Sequence, residues 1–223
     1  MKSSLFLQAI AKFILGVVLV GILLFLPAGT FDYTGGWILI SVLFLPMFAA
    51  GLVMLSKNPE LLEKRLQARE SRKEQNLVVK LSGLMFFTGF ITAGLDFRFG
   101  WSTVPKGVVI AAVIIFLAAY VLYAEVLRKN TYLSRTIQVQ ENQKVIDTGL
   151  YGMVRHPMYS ATLLLFLSMP LILGSIYAFL IFLIYPVLII CRIRDEECLL
   201  QEELSGYREY QKKVKSRLIP YVW

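Results

Sequence analysis

Long uncharged runs alternate with short polar segments along this chain of 223 residues. Residues 13–31, 33–56, 81–95 and 107–124 contain no Asp, Glu, Lys or Arg, and neither do residues 156–191. We assign one membrane crossing to each of the first four runs, since about 20 helical residues span the hydrocarbon core. The run 81–95 is short, but the Lys80 side chain can extend to the interface. As one helix the fifth run would measure roughly 54 Å, far more than a core of about 30 Å requires. The pattern therefore predicts four single helices followed by a pair.

The fifth run carries its own turn signal near its middle. Gly174 and Ser175 divide it into two legs, roughly 157–173 and 176–191, which cross the bilayer and return. Pro157 is suited to the first turn of the first leg. We therefore predict an all-α integral membrane protein, a multi-span helical bundle with six crossings of which the last two form a helical hairpin.

A C-terminal amphipathic helix is predicted beyond the sixth crossing. Apolar side chains recur there at helical spacing, and a proline closes the segment; they are Leu200, Leu204, Tyr207, Tyr210 and Val214, followed by Pro220. A helix lying on the bilayer surface would show the same pattern. We expect a single membrane domain over 1–223, with four spans in 1–130 and a cofactor-binding loop, the hairpin and the C-terminal helix in 131–223.

The polar stretch 57–80 is open to two interpretations. Asn58, Pro59 and Glu60 are typical of a helix start, and Leu61 and Leu62 begin a weak apolar face. An interfacial helix with a basic polar side fits this composition. A solvated charged loop fits it equally well. No residue of this stretch is a candidate for catalysis.

The charge pattern indicates how the chain sits in its membrane. The protein is 57% hydrophobic with a net charge of +8. The basic residues flank apolar runs, which favours contact with membrane lipids and argues against a nucleic-acid partner. Segments 57–80, 128–155 and 192–217 are rich in Lys and Arg, whereas the turns at 28–36 and 174–175 have none. By the positive-inside tendency both termini and the 128–155 loop are cytoplasmic. We expect a bacterial or archaeal cell membrane as the setting, and not the endoplasmic reticulum.

A first polar cluster stands at the entrance of the hairpin. It contains Arg155, Tyr159 and His156, the one histidine of the chain. Proline disfavours helical geometry in the residue before it, so His156 is expected at a helix start. Unpaired N–H groups and the helix dipole attract an anion there, and the Arg155 guanidinium adds a planar donor. The cluster predicts an anion site.

A second polar cluster, residues 192–197, lies where the hairpin returns. Arg192 and Glu196 are four residues apart and share a helical face. Glu196 or Glu197 could accept a hydrogen bond from a ribose or hold an ammonium group. A hairpin brings both clusters to one side of the membrane, where a zwitterionic cofactor and an acidic substrate suit their charges. From the residues alone the reaction stays open, and no spacing typical of a metal site is present.

These two clusters resemble motifs of the isoprenylcysteine carboxyl methyltransferase family of integral membrane methyltransferases. The first motif runs from Gly149 through Tyr151 and the Arg-His-Pro-x-Tyr sequence at 155–159, and the second is Arg-Ile-x-x-Glu-Glu at 192–197. The resemblance covers about residues 130–223, including the spacing from Tyr207 to Pro220. It implies S-adenosylmethionine as the cofactor and a lipophilic small-molecule substrate, with a prenylcysteine-like carboxylate as methyl acceptor.

The resemblance also implies roles for individual residues. Arg192 orients the substrate carboxylate, and we place Arg155 beside it as the second catalytic candidate. The cofactor-binding candidates are Gln138, Gln143, Lys144, Val145, Ile146, Tyr151, His156, Pro157, Met158, Tyr159, Glu196 and Glu197. Two other readings stay open: an NADPH-dependent membrane sterol or enone reductase, whose C-terminal half is related, and a non-catalytic membrane scaffold. The oligomeric state is also open.

Overall fold

The computed structural model describes residues 2–66, 73–130, 132 and 139–223, and over these residues the regular structure is helical throughout. The helices are α1 (Lys2–Ala28), α2 (Thr34–Lys57), α3 (Pro59–Leu66), α4 (Lys73–Phe99), α5 (Lys106–Lys129), α6 (Pro157–Ile172), α7 (Ile176–Phe182), α8 (Tyr185–Glu203) and α9 (Tyr207–Lys213). A short 3₁₀ turn, Gly149–Gly152, precedes α6. The predicted all-α, multi-span architecture is confirmed.

Five helical segments of the described chain are long and apolar enough to cross a membrane. They are Leu5–Ala28, Thr34–Lys57, Gln75–Phe99, Lys106–Lys129 and Ile176–Glu203. The remaining predicted crossing is present as α6, but this apolar helix has only 16 residues. At 1.5 Å per residue it is about 24 Å long, shorter than a core of about 30 Å. By length, five of the six predicted crossings are therefore long apolar helices, and the remaining one is present as the shorter apolar helix α6.

The predicted hairpin forms around Gly174 and Ser175. Gly174 takes φ +77°, which favours glycine, and Ser175 Oγ caps α7 by accepting from Ala178 N at 3.0 Å. Ser175 also donates to the buried carboxylate of Asp96 on α4, which accepts from Ser102 N at 2.7 Å and Ser102 Oγ at 2.6 Å. The turn is thus held to the end of α4.

The second leg of the hairpin is longer than predicted, and it is interrupted by a turn. It runs on to Glu203, and a turn at Leu183 and Ile184 separates α7 from α8. Pro186 lies in the first turn of α8, where it has no N–H to bond the preceding turn. The second polar cluster consequently lies within α8, and not at the start of a separate helix.

Two glycines of α4 allow its neighbours to approach closely. A Cβ on Gly94 would lie 2.6 Å from the Leu24 carbonyl oxygen of α1, and one on Gly89 would collide with the Phe182 ring of α7. Small residues permit such backbone contact between membrane helices. With α5 against α6, this packing gathers the helices around one apolar core.

The predicted C-terminal amphipathic helix is split in two. Gly206 takes φ +84° and starts α9 after α8 has ended at Glu203. The apolar side chains of this region are buried against Val139 and Val145, and do not form a bilayer-facing stripe. These apolar side chains therefore pack the C-terminal segment, residues 204–223, against the loop that precedes α6.

The stretch 57–80 folds as a helix over Pro59–Leu66. Asn58 Oδ1 accepts from Leu61 N at 3.1 Å and caps α3, while Leu61 and Leu62 are buried. The helical interpretation is confirmed there, and the solvated loop is wrong for those residues. Residues 67–72 lie outside the described chain. Beyond them α4 is already helical from Lys73, so the third crossing begins earlier than the uncharged run suggests.

Candidate active site

The entrance of α6 is bound to the C-terminal segment of the chain. Arg155 N donates to Ser216 O at 2.9 Å, and His156 N donates to Arg217 O at 2.9 Å. His156 takes φ −124°, outside helical geometry, as the following Pro157 requires. These bonds pair N–H groups at the helix entrance with main-chain carbonyls, and they hold residues 216 and 217 beside the start of α6.

Glu197 of α8 is the centre of a buried ionic cluster. Its Oε1 lies 2.7 Å from Arg155 Nε and 3.2 Å from His156 Nε2, and its Oε2 accepts from Arg217 Nε at 2.9 Å. Glu197 is only 3% exposed. Arg155 Nη1 also donates to the carbonyl oxygens of Val214 and Lys215, at 2.7 and 2.8 Å. The cluster locks α6, α8 and the C-terminal segment together.

A second chain of hydrogen bonds joins Glu196 to Arg192 through a tyrosine. Tyr159 OH donates to Glu196 Oε2 at 2.5 Å and accepts from Arg192 Nε at 3.0 Å. Arg192 Nη1 donates to Gln75 Oε1 at 3.0 Å, and Gln75 Nε2 donates to Asp195 Oδ2 at 2.7 Å. The two residues predicted to share a helical face are therefore connected by Tyr159 from α6, and Arg192 is held from α4.

One open cleft is bordered by five members of these two networks, Arg155, His156, Tyr159, Arg192 and Glu196, and its volume, including the space open to solvent, is about 870 Å³. Its walls contain these predicted site residues: Gln143, Lys144, Val145, Ile146, Tyr151, Arg155, His156, Pro157, Met158, Tyr159, Arg192 and Glu196. Glu197 does not line the cleft, because its carboxylate is turned into the buried cluster. The Glu197 side chain therefore lies in the ionic cluster and not on the cleft wall, where a contact with a cofactor was expected. Gln138 lies outside the described residues.

Several cleft residues were not identified as site candidates from the sequence. They are Asn130, Tyr132, Leu199, Leu200, Leu204, Tyr207 and Tyr210. The apolar pattern predicted a helix face with Leu200, Leu204, Tyr207 and Tyr210, and the spacing from Tyr207 was part of the family resemblance, but none of these residues was given a role in a site. Gln75, which holds Arg192, lies in a stretch that gave no catalytic signal. Its uncharged amide at the edge of an apolar run is the one local feature that could have drawn attention to it.

Tyr151 connects the α5 end of the cleft to α9. Asn130 Nδ2 donates to Tyr151 OH at 2.9 Å, and Tyr210 OH donates to the Tyr151 carbonyl oxygen at 2.7 Å. Burial raises the pKa of Tyr151 to about 12, so its hydroxyl is neutral. Lys213 Nζ also pairs with Asp147 Oδ2 at 2.7 Å on the surface, and the ammonium lowers the pKa of that carboxyl. The loop before α6 is thus fastened to α9 by two polar contacts.

The arrangement suits a ligand that carries both signs of charge. Glu196 presents a carboxylate, and Lys144 and Arg192 present cations, on the walls of the same cleft. Apolar side chains from the loop and from α8 supply the remaining surface. Small-molecule sites usually combine apolar side chains with a few convergent polar groups, and this cleft contains both.

Comparison with known proteins finds similarity over the part of the chain that contains most of the cleft residues. Residues 106–205 match the model of a family described as phospholipid methyltransferase. This match confirms the predicted resemblance to membrane methyltransferases over that part of the chain. The chain is also 35% identical over 91 residues, 40% of its length, to a Delta(14)-sterol reductase of Mus musculus, of which it spans 22%. The family match includes α5, the loop, the hairpin and α8, whereas Gln75, α9 and Arg217 lie outside it.

Proposed function

We propose that this integral membrane protein is an S-adenosylmethionine-dependent methyltransferase acting on a lipophilic acceptor with a carboxylate head group, similar to a prenylated cysteine. The reaction class rests on the match of residues 106–205 to the phospholipid methyltransferase family. The observation that carries the finer proposal is the linkage of Glu196 and Arg192 through Tyr159. It links a carboxylate and a guanidinium that both line the same cleft.

The residues of the cleft fit this cofactor by their chemistry. S-Adenosylmethionine carries ammonium and ribose donors, a carboxylate and a flat base. Glu196 would accept from its donors, Lys144 would face an anionic group, and the apolar walls would hold the base. The residues proposed to hold it are Gln143, Lys144, Val145, Ile146, Tyr151, His156, Pro157, Met158, Tyr159 and Glu196, with Gln138 as a further candidate. When bound, the cofactor supplies a methyl group on a positively charged sulfur.

Arg192 is proposed to orient the acceptor. Its planar guanidinium is a permanent cation suited to a carboxylate, and Tyr159 and Gln75 fix its direction. A carboxylate is already a nucleophile at neutral pH, so the site needs alignment and exclusion of water more than a strong base. Arg155 would contribute by holding the C-terminal segment over the cleft, since its Nε and one Nη bind Glu197 and main-chain carbonyls.

The cofactor assignment is tested by calorimetric titration of the purified protein with S-adenosylhomocysteine. We expect wild type to bind it and Glu196→Gln to bind about 1–3 kcal/mol more weakly, the range for a lost hydrogen bond to a charged group. Glu202→Gln is the matched control, because Glu202 is an exposed carboxylate on the same helix. Equal weakening by both variants would contradict the assignment of Glu196.

The acceptor is tested by methyl transfer to a prenylated cysteine analogue and to membrane lipid extracts. Arg192→Lys keeps the charge but loses the planar donor pair, so turnover should fall while cofactor affinity is kept. Arg194→Lys, at an exposed position two residues along α8, is the control. Methylation of soluble acceptors alone, or loss of cofactor affinity in Arg192→Lys, would contradict the proposal.

The second candidate is an NADPH-dependent membrane reductase. It is favoured by the 35% identity to the murine sterol reductase, although the chain spans only 22% of that protein. A titration with NADPH beside S-adenosylhomocysteine separates the two candidates. Binding of NADPH without binding of S-adenosylhomocysteine would replace the methyltransferase proposal by the reductase.

A further inference from the structure

The hydroxyl of Tyr207 is a buried polar atom with no hydrogen-bond partner within the described part of the chain. Tyr207 is 4% exposed and lines the cleft. Tyr210, three residues along α9 with its ring centroid 5.7 Å away, donates its hydroxyl to the Tyr151 carbonyl at 2.7 Å. The two tyrosines are similarly buried, but only the Tyr210 hydroxyl has a hydrogen-bond partner in the described part of the chain.

The position of the Tyr207 ring is fixed by its surroundings. Gly206 at φ +84° turns the chain sharply into α9, and Tyr207 N donates to Leu204 O at 3.2 Å. The ring then packs in the cluster that contains Leu204, Val214 and Val145. A side chain held in this way has little freedom to turn its hydroxyl to bulk water.

The electrostatic setting makes the hydroxyl a hydrogen-bond donor. Burial raises the pKa of Tyr207 well above its ordinary value, and the carboxylates of Glu197 and Glu196 raise it further. The phenol is consequently neutral and keeps its proton. A buried donor without a partner is unfavourable, and native proteins retain few of them. A ligand atom that accepts a hydrogen bond would remove this cost.

The location on the cleft wall indicates which part of a ligand Tyr207 would meet. Leu200 and Leu204 follow Arg192 by about two and three helical turns, roughly 12 and 18 Å along an ideal helix. Together with Val145 they surround Tyr207 with apolar side chains, and the carboxylate of Glu196 lines the same cleft. A nucleoside combines a flat base with ribose hydroxyls that can donate to a carboxylate, so it suits the part of the cleft where Tyr207 lies.

We propose that Tyr207 is a ligand-binding residue, whose hydroxyl donates a hydrogen bond to an acceptor atom in the nucleoside part of the bound cofactor. The inference rests on the proposed function in taking this cofactor to be a nucleoside-containing one. Both S-adenosylmethionine and NADPH have an adenosine part, so the contact does not depend on which of the two candidate reactions is correct.

The test compares Tyr207→Phe with Tyr210→Phe by thermal unfolding in detergent, without ligand and during titration with S-adenosylhomocysteine. Tyr207→Phe removes an unpaired hydroxyl, so the ligand-free protein should unfold at the same temperature or higher. Its affinity for S-adenosylhomocysteine should nevertheless fall about five- to tenfold, the effect of one lost hydrogen bond. Tyr210→Phe should lower the unfolding temperature of the ligand-free protein, because its hydroxyl bonds Tyr151.

A titration with 5′-methylthioadenosine, which lacks the amino-acid part, should show the same loss of affinity in Tyr207→Phe. The inference is overturned if Tyr207→Phe destabilises the ligand-free protein, if its affinity for S-adenosylhomocysteine is unchanged, or if the affinity for methylthioadenosine is unchanged. If wild type binds only NADPH and Tyr207→Phe weakens it, the methyltransferase proposal fails and the Tyr207 contact stands. If wild type binds none of these compounds, both fail.

Discussion

Replacement of Glu197 by Gln tests the buried ionic cluster that fastens α6 and α8 to the C-terminal segment. The amide keeps the size of the side chain but removes the negative charge. It leaves Arg155, whose side chain is 6% exposed, without its anion, and it weakens the contacts with His156 and Arg217. We expect a large loss of stability, because an uncompensated buried charge is costly.

The size of the expected stability loss depends on how deeply each partner of Glu197 is buried. Breaking a buried ion pair by removing one member costs about 3–5 kcal/mol. Arg217 has a side chain that is 35% exposed and can be hydrated, so its share is at most about 1 kcal/mol. Arg155 retains two main-chain carbonyl acceptors, at 2.7 and 2.8 Å, which offset part of the loss. We therefore expect a decrease of about 3 kcal/mol in the free energy of unfolding.

The assay is reversible unfolding in mixed micelles of a mild and a denaturing detergent. Glu125→Gln is the control, since it breaks the exposed Glu125–Arg128 pair on α5 and should leave the unfolding curve unchanged. Glu196→Gln, one residue away on the cleft side, should change ligand affinity more than stability. A Glu197→Gln variant within about 1 kcal/mol of wild type would refute the reasoning, because a loss that small is typical of an exposed pair.

Three further predictions concern topology, the support of Arg192 and the hairpin turn. In a variant without the native cysteines, a thiol reagent should label Glu141→Cys and Tyr177→Cys from opposite sides of the membrane. Labelling of both positions from one side would refute the hairpin orientation. Gln75→Leu should lower methyl transfer as Arg192→Lys does, and the double variant should add little, because Gln75 acts through Arg192; additive losses in the kinetic assay would contradict this. Asp96→Ala should lower the free energy of unfolding by about 1–3 kcal/mol, since it removes the acceptor of the buried Ser175 hydroxyl and of two partly buried donors of Ser102, and an unchanged unfolding curve would show that these donors find other partners.

Much of the fold could be predicted because its signals are local. The uncharged runs predicted the long helices, and the Gly174-Ser175 pair predicted the turn between α6 and α7. The order His156-Pro157 predicted a helix entrance through the steric demand of proline alone. The structure also brings most of the predicted site residues around one cleft, while their roles toward a cofactor and an acceptor stay proposals.

The tertiary structure decided what the local pattern could not. Glu196 and Glu197 are neighbours of the same chemical type, yet one faces the cleft and the other is buried among Arg155, His156 and Arg217. Successive residues of a helix point about 100° apart, so only the packing of α8 against α6 and the C-terminal segment selects which carboxylate faces the cleft.

The same holds for contacts between distant parts of the chain. Gln75 reaches Arg192 across a separation of 117 residues, and Tyr207 enters the cleft because Gly206 turns α9 over the loop. The sequence by itself determined which segments are helical and which polar residues are available. Which of them meet depends on how the helices pack, because hydrogen bonds and ion pairs form only where that packing brings partners within about 3 Å.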